Sequence, residues 1–160
     1  MILLNLDDGA IKGDSKVDGY EDWITLDSVQ WGVGRAISAS GTGADRDTSN
    51  PSFSEITITK STDKTSGELF QQSCGGKAMG KAELIWIQTG GTDEGNQPYL
   101  TVELTGPIIS SYSVSSGGER PSESVSINFT KIKYRYDAFD GAKVTKGRDV
   151  TWDLMTNKKY

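Results

Sequence analysis

The feature that most constrains this chain is a two-residue alternation of apolar and polar side chains, renewed in short runs that end in clusters of Gly, Ser, Asn and Asp. Successive side chains of an extended strand point to opposite faces, so such runs suit half-buried strands and cannot lay one stripe along a helix. Residues 53–60 (FSEITITK) set Ile56 and Ile58 against Thr57 and Thr59, and residues 99–105 (YLTVELT) turn Leu100, Val102 and Leu104 inward. Residues 107–116 place Ile108, Tyr112 and Val114 on one parity, and the tail does the same with Val150, Trp152 and Leu154. Residues 81–88 (KAELIWIQ) are apolar on both parities, which predicts a central strand covered on both faces.

Two runs change phase. Ile24 and Leu26 share one parity while Val29, Trp31 and Val33 share the other, and a bulge at Asp27–Ser28 would produce that flip. Val125, Ile127 and Phe129 similarly give way to Ile132, Tyr134 and Tyr136, as a bulge or a strand passing between sheets near Lys131 would require. Seven to nine strands are expected, with one helix of two to three turns. Thr65-x-x-Glu68 has capping-box spacing, Leu69, Phe70 and Cys74 form an apolar patch, and Gly75-Gly76 ends the helix. A helix so short needs a sheet to pack against. The 19 Gly, 18 Ser and 15 Thr against 4 Pro in 160 residues agree with a β-rich chain. No repeat or linker divides it, which suits one domain over residues 1–160.

Zero histidines remove the commonest general base and zinc ligand, and with them Ser-His-Asp and Cys-His catalysis. The single Cys74 has no disulfide partner within the chain and reads as core packing on the helix. A net charge of −5 argues against a nucleic-acid partner. MILLNLDDG lacks the basic region and apolar length of a signal peptide, and no run reaches the ~18 apolar residues of a membrane span.

Gly75-Gly76-Lys77 fails as a phosphate loop because Ala78 stands where its Ser or Thr is required. Asp14–Gly19 fails as a calcium loop because Lys16 holds a ligand position. Asn128-Phe129-Thr130 has glycosylation spacing but lies within a strand. Asp137/Asp140 and Asp93/Glu94 are the carboxylate pairs a hydrolase would need, though each stands in turn-like sequence beside Gly. Trp23, Tyr99 and Tyr112 would have to converge for a carbohydrate-binding platform. No metal or cofactor site emerges. What does emerge is a run of small polar faces, Ser111 and Ser113, then Ser124, Ser126 and Asn128. They form either a plain solvated sheet or a surface that lets a partner slide past or be loosely held.

Five segments in order carry a resemblance. They are IKGDS (11–15), the strand from Trp23 to Trp31-Gly32, FSEITITKSTDKTSGELFQQSCGGK (53–77), PYLTVELTGPIISSYSVSSGG (98–118) and PSESVSINFTKIKYRY (121–136). Together they resemble the hemolysin-coregulated protein (Hcp) family, the tube protein of bacterial type VI secretion. Gly67 stands where the family usually has Pro, and Ala78 where a His often follows.

The resemblance implies a mainly β fold: a small, strongly bent β-barrel or two-sheet sandwich with one short helix alongside and an extended loop after the second strand. It implies six-copy rings stacked into a tube, driven out by a contractile sheath, with effectors held in the lumen. The implied partners are further copies of the chain, effector proteins, and the sheath, baseplate and spike of the machine. Catalysis, cofactor, nucleic acid and membrane insertion are not implied. The protein would be cytoplasmic while assembled and then secreted without a signal peptide.

Carried over by position, Gln30 looks lumen-facing, with Ser111 and Ser113 as further candidates. The loop of Ala39, Ser40, Gly41, Thr42, Gly43, Ala44, Asp45, Arg46, Asp47 and Thr48 would reach a neighbouring protomer or ring. The tail tube of a phage or other contractile particle has the same architecture and is the alternative reading.

Overall fold

Both phase changes mark places where the chain leaves one sheet for another. The computed structural model describes residues 1–38, 48–89, 95–141 and 143–160. Its elements are β1 (Ile2–Leu6), β2 (Ile24–Leu26), β3 (Ser28–Gln30), β4 (Val33–Gly34), β5 (Ser52–Phe53), β6 (Ile56–Ser61) and α1 (Ser66–Gly75). After the helix come β7 (Lys81–Thr89), β8 (Asn96–Thr105), β9 (Ile108–Ser115), β10 (Ser122–Asn128), β11 (Lys131–Tyr136), β12 (Ala138–Asp140), β13 (Lys143–Thr145) and β14 (Val150–Asp153). A six-stranded sheet has the order β14-β11-β8-β7-β1-β2, and a four-stranded sheet the order β3-β6-β10-β9. Two small hairpin-like pairs, β4–β5 and β12–β13, extend from them.

The chain crosses between the main sheets at Asp27, at Gly106-Pro107 and at Phe129-Thr130. At Asp27 the cause is therefore a change of sheet and not a bulge, and the Asp27 N–H already donates to Thr59 O at 2.8 Å. Gly106 makes its crossing at φ +62°, a conformation glycine adopts without penalty. Face to face, the sheets bury Leu4, Leu6, Ile24, Leu84, Val102 and Leu104 from one against Ile56, Ile58, Val125 and Ile127 from the other. Each such side chain stabilises the fold by roughly 1.5–3 kcal/mol relative to exposure. Each sheet keeps its own hydrogen-bond ladder, so the architecture is the two-sheet sandwich and not a closed barrel.

β7 is covered on both faces, as expected. Leu84 belongs to the core between the sheets, while Ile85 and Ile87 join Leu3 beneath Val17, Tyr20 and Trp23 on the outer side. The segment that lays this cover crosses itself at Gly13, whose N–H donates to Asp22 O at 2.6 Å. A Cβ there would sit 2.6 Å from Ile24 Cα, which explains the glycine of IKGDS.

Three expectations need correction. In β9, Ser126 pairs with Ser111 but Ile127 pairs with Ile109, so Ser110 is an extra residue. That bulge makes Ile109, not Ile108, the buried partner of the inward parity; Val114, opposite Glu123 on the edge strand, is 52% exposed. The capping box does not form. Thr65 Oγ1 donates to Asp63 Oδ1 at 2.5 Å, and Glu68 accepts from Gln72 Nε2 instead of reaching back. Cys74 is exposed and Phe70 is 57% exposed, because α1 touches the sheet along a narrow face whose buried residue is Leu69.

The extended loop leaves from β4 and returns to β5. Its neck is the bridge Ile37–Thr48 and the Ser49 N–H bond to Ala36 O at 3.0 Å. Of the loop residues proposed for contact, Thr48 is in this neck, and residues 39–47 lie outside the described residues.

Candidate partner-facing surface

The strand parity that buries Ile56, Ile58, Val125 and Ile127 turns the alternate residues of the four-stranded sheet outward. Register then assembles them into rows across the strands. Ser28, Thr59, Ser124 and Ser113 form one row, and Gln30, Thr57, Ser126 and Ser111 the next. Ser61, Ser122 and Ser115 begin a third. Ser28 and Thr59 join across the first row by a 2.5 Å hydroxyl hydrogen bond. Gln30, Ser111 and Ser113, far apart in sequence, thus share one face. No charged side chain stands in these rows, although 24% of the chain is charged. At the margin, Ser110 donates a hydrogen bond to Glu55.

The outer face of the six-stranded sheet is the opposite in character. There Lys81 and Lys133 each pair with Glu103 at 3.3 Å. Glu83 lies directly across from Glu103, and burial, then that neighbouring charge, push its carboxyl above the ordinary range.

Behind one end of the hydroxyl rows lies an ionic cluster that the sequence reading missed. Lys60 is fully buried; its Nζ reaches Glu123 Oε2 at 2.7 Å, Asp63 Oδ1 at 2.9 Å and Ser61 O at 3.0 Å. Tyr112 donates to Glu123 Oε1 at 2.5 Å. Burial opposes ionisation of Glu123, but hydrogen bonds from Lys60, Ser66 and Tyr112 outweigh it and hold the carboxyl below its usual range. Asp63 is held low in the same way by Thr65 and Lys60. Burial first, and then the bond and charge of Glu123, push the Tyr112 phenol up to about 12. The available signal is parity: Lys60 continues the buried positions of Ile56 and Ile58, and Glu123 those of Val125 and Ile127. Two opposite charges on inward positions of neighbouring strands call for each other.

Among the described residues, neither the Asp137/Asp140 pair nor the aromatic platform assembles. Asp137 is buried, accepts from the Gly147 N–H at 2.9 Å and pairs with Arg135 at 3.1 Å, while Asp140 is exposed on β12. Asp93 and Glu94 lie outside the described residues. Trp23 packs edge-on to Tyr20 over the six-stranded sheet, whereas Tyr112 belongs to the other sheet, so no common platform exists. Among the described residues no group of three His, Cys, Asp or Glu side chains is placed to hold a metal ion, and no helix is long and apolar enough to cross a membrane.

The class that the fold defines is the two-sheet antiparallel sandwich with a flanking helix, here with one broad uncharged sheet face. The family model described as "Type VI secretion system effector, Hcp" matches residues 3–136, and the chain belongs to that family. The Hcp family is one of secreted, structural tube proteins of type VI secretion and not of enzymes. Protein hcp1 of Pseudomonas aeruginosa is 32% identical over 107 residues, spanning 64% of this chain and 65% of that relative.

Solved structures agree in fold. A type six secretion system protein superposes with a TM-score of 0.89 at 24% identity, covering 99% of this chain and 98% of its own. Hcp1 from Salmonella typhimurium gives 0.76 at 22% identity, covering 99% and 97%. Secreted protein Hcp3 from Pseudomonas aeruginosa gives 0.64 at 18%, covering 96% and 99%.

Proposed function

We propose that this chain is the repeating subunit of a type VI secretion tube. Six copies close into a ring, rings stack, and the outer face of the four-stranded sheet lines the lumen, where Gln30, Ser111 and Ser113 meet effector proteins. The carrying observation is the set of uncharged hydroxyl rows. A concave wall lined by one sign of charge focuses field and would trap or reject cargo by its charge. A wall of short hydroxyls and amides, with neither charge nor large apolar patches, holds a passing protein weakly whatever its sign. A ring also multiplies the net charge of −5 per copy, so charge is better placed on faces other than the lumen. On this reading the sheath, baseplate and spike of the machine are further partners, and the assembled tube is exported from the cytoplasm.

Light scattering behind a sizing column tests the ring. A mass near six times 17.3 kDa is expected, and a strict monomer at high concentration would overturn the reading. The lumen assignment has its own test. Gln30→Arg introduces a cation into the middle of the uncharged rows, so the ring should persist while the set of co-purifying effectors changes. An unchanged set from an intact ring would remove Gln30 from the lumen.

A further inference from the structure

The first turn of α1 rests on the buried charge of Lys60. Ser66 opens the helix, and its Oγ accepts from the Asp63 N–H at 3.0 Å and lies 3.5 Å from the Lys60 Nζ. The same hydroxyl bonds to Glu123 and Tyr112. Asp63 accepts from both the Thr65 N–H and Lys60, so one carboxylate ties the turn before the helix to strand β6. Glu123 on β10 and Tyr112 on β9 complete the cluster. Further along, α1 is held by Leu69, its buried residue, and by the contact of Phe70 with the Tyr112 ring at 6.1 Å. A helix of 10 residues is marginal in water without such packing. The sheets depend on it far less, because their inward side chains close on one another and Leu69 is what α1 adds to that core.

We propose that this cluster is an acid-released latch: protonating Glu123 and Asp63 frees α1 from the sandwich while the two sheets stay joined. With both carboxyls neutral, the Lys60 ammonium is buried without a counter-charge, a state that opening the site to water relieves. The half-buried Ser66 is the way in. No flanking charge takes over: Glu68, the one charged residue of α1, bonds to Gln72, Lys64 pairs with Asp14, and Arg120 donates to Thr62 O. Burial opposes ionisation of both carboxyls, yet their hydrogen bonds hold them below the usual range. The latch is therefore complete above about pH 4 and opens as pH falls through the folded values.

Amide exchange of the full chain, corrected for its intrinsic pH dependence and followed from about pH 7 to 3, tests the latch. Residues 66–75 should lose protection by about tenfold or more while β7 and β10 keep theirs, and only further acid should open the strands. Glu123→Gln keeps the shape of the side chain and removes its charge, so at pH 7 its α1 should exchange as fast as the parent's does in acid. Light scattering at each pH holds the comparison at one oligomeric mass.

Loss of protection in α1 only where β7 and β10 lose theirs, or only where the mass changes, overturns the latch. So does a folded Glu123→Gln whose α1 exchanges at the parent's rate. If Glu123→Gln does not fold, the parent's own pH series decides between the same outcomes. The latch belongs to a single copy, so it stands or falls separately from the ring.

Discussion

At the scale of single residues, Lys60 has the largest consequence for stability. Its ammonium has left water entirely and is matched by Glu123 and Asp63, with Tyr112 occupying the other Glu123 oxygen. Removing one partner from such a cluster strands the remaining charges and costs about 3–5 kcal/mol. Lys60→Met should therefore lower the unfolding free energy by about that much, read as a fall in the urea midpoint at unchanged slope. A loss under about 1 kcal/mol would show that the cluster is wet. The acid limb follows from the same pair. Both carboxyls are held below their unfolded values, so their contribution is complete above the ordinary carboxylate range near pH 4 and disappears as pH falls through the folded values. The melting temperature of the parent chain should be flat from about pH 7 to 5 and drop steeply below about 4. In Lys60→Met, where the cation no longer favours the ionised carboxyls, the drop should be shallower; equal slopes would exclude Lys60 as its cause.

At the scale of elements, α1 shows how far local sequence reaches. Its position and length are legible from Leu69, Phe70 and the Gly75-Gly76 stop, but its docking is not. The local signal at Thr65-x-x-Glu68 loses to Asp63, which accepts from both the backbone and the hydroxyl of Thr65 while also pairing with Lys60. Leu69 is the helix's buried residue, and Leu69→Ala should cost about 2–5 kcal/mol by the cavity it leaves. Because the helix lies beside the sandwich and not between its sheets, the loss should appear first as faster amide exchange in residues 66–75, with β7 still protected. Simultaneous exchange of helix and β7 would mean that they open as one unit. The strands follow the same logic: alternation marks β6 and β10 residue by residue, while the Ser110 bulge in β9, one unpaired residue in an ordinary-looking run, is invisible until a partner strand supplies the register.

At the scale of the whole molecule, the hydroxyl face is a product of sheet order. Gln30 and Ser111 stand 81 positions apart and share a row only because β3 and β9 are the two edges of one sheet. The loop after β4 also acts at this scale. Its neck is held by the Ile37–Thr48 bridge and the Ser49–Ala36 hydrogen bond, and deleting residues 39–48 removes the bridge while the hydrogen-bonded pair stays. The shortened chain should keep the parent's melting temperature within a few degrees and stack its rings less in electron micrographs. Undiminished stacking would assign the ring-to-ring contact to another surface.

The amino-acid order by itself determined what depends on neighbours along the chain. It set the strand periodicity, the doubly covered β7, the two phase changes, the single short helix, and the absence of the side chains that histidine-based catalysis requires. Tertiary structure decided everything that depends on which strands meet. It made the phase changes sheet crossings, turned Cys74 and Phe70 outward, brought Lys60 to Glu123, and set Gln30, Ser111 and Ser113 on one uncharged face. The physical reason is that alternation specifies an inside and an outside for each strand but not a partner. Partner and register come from burying both sheets' inward faces against each other at once, a condition no single segment contains.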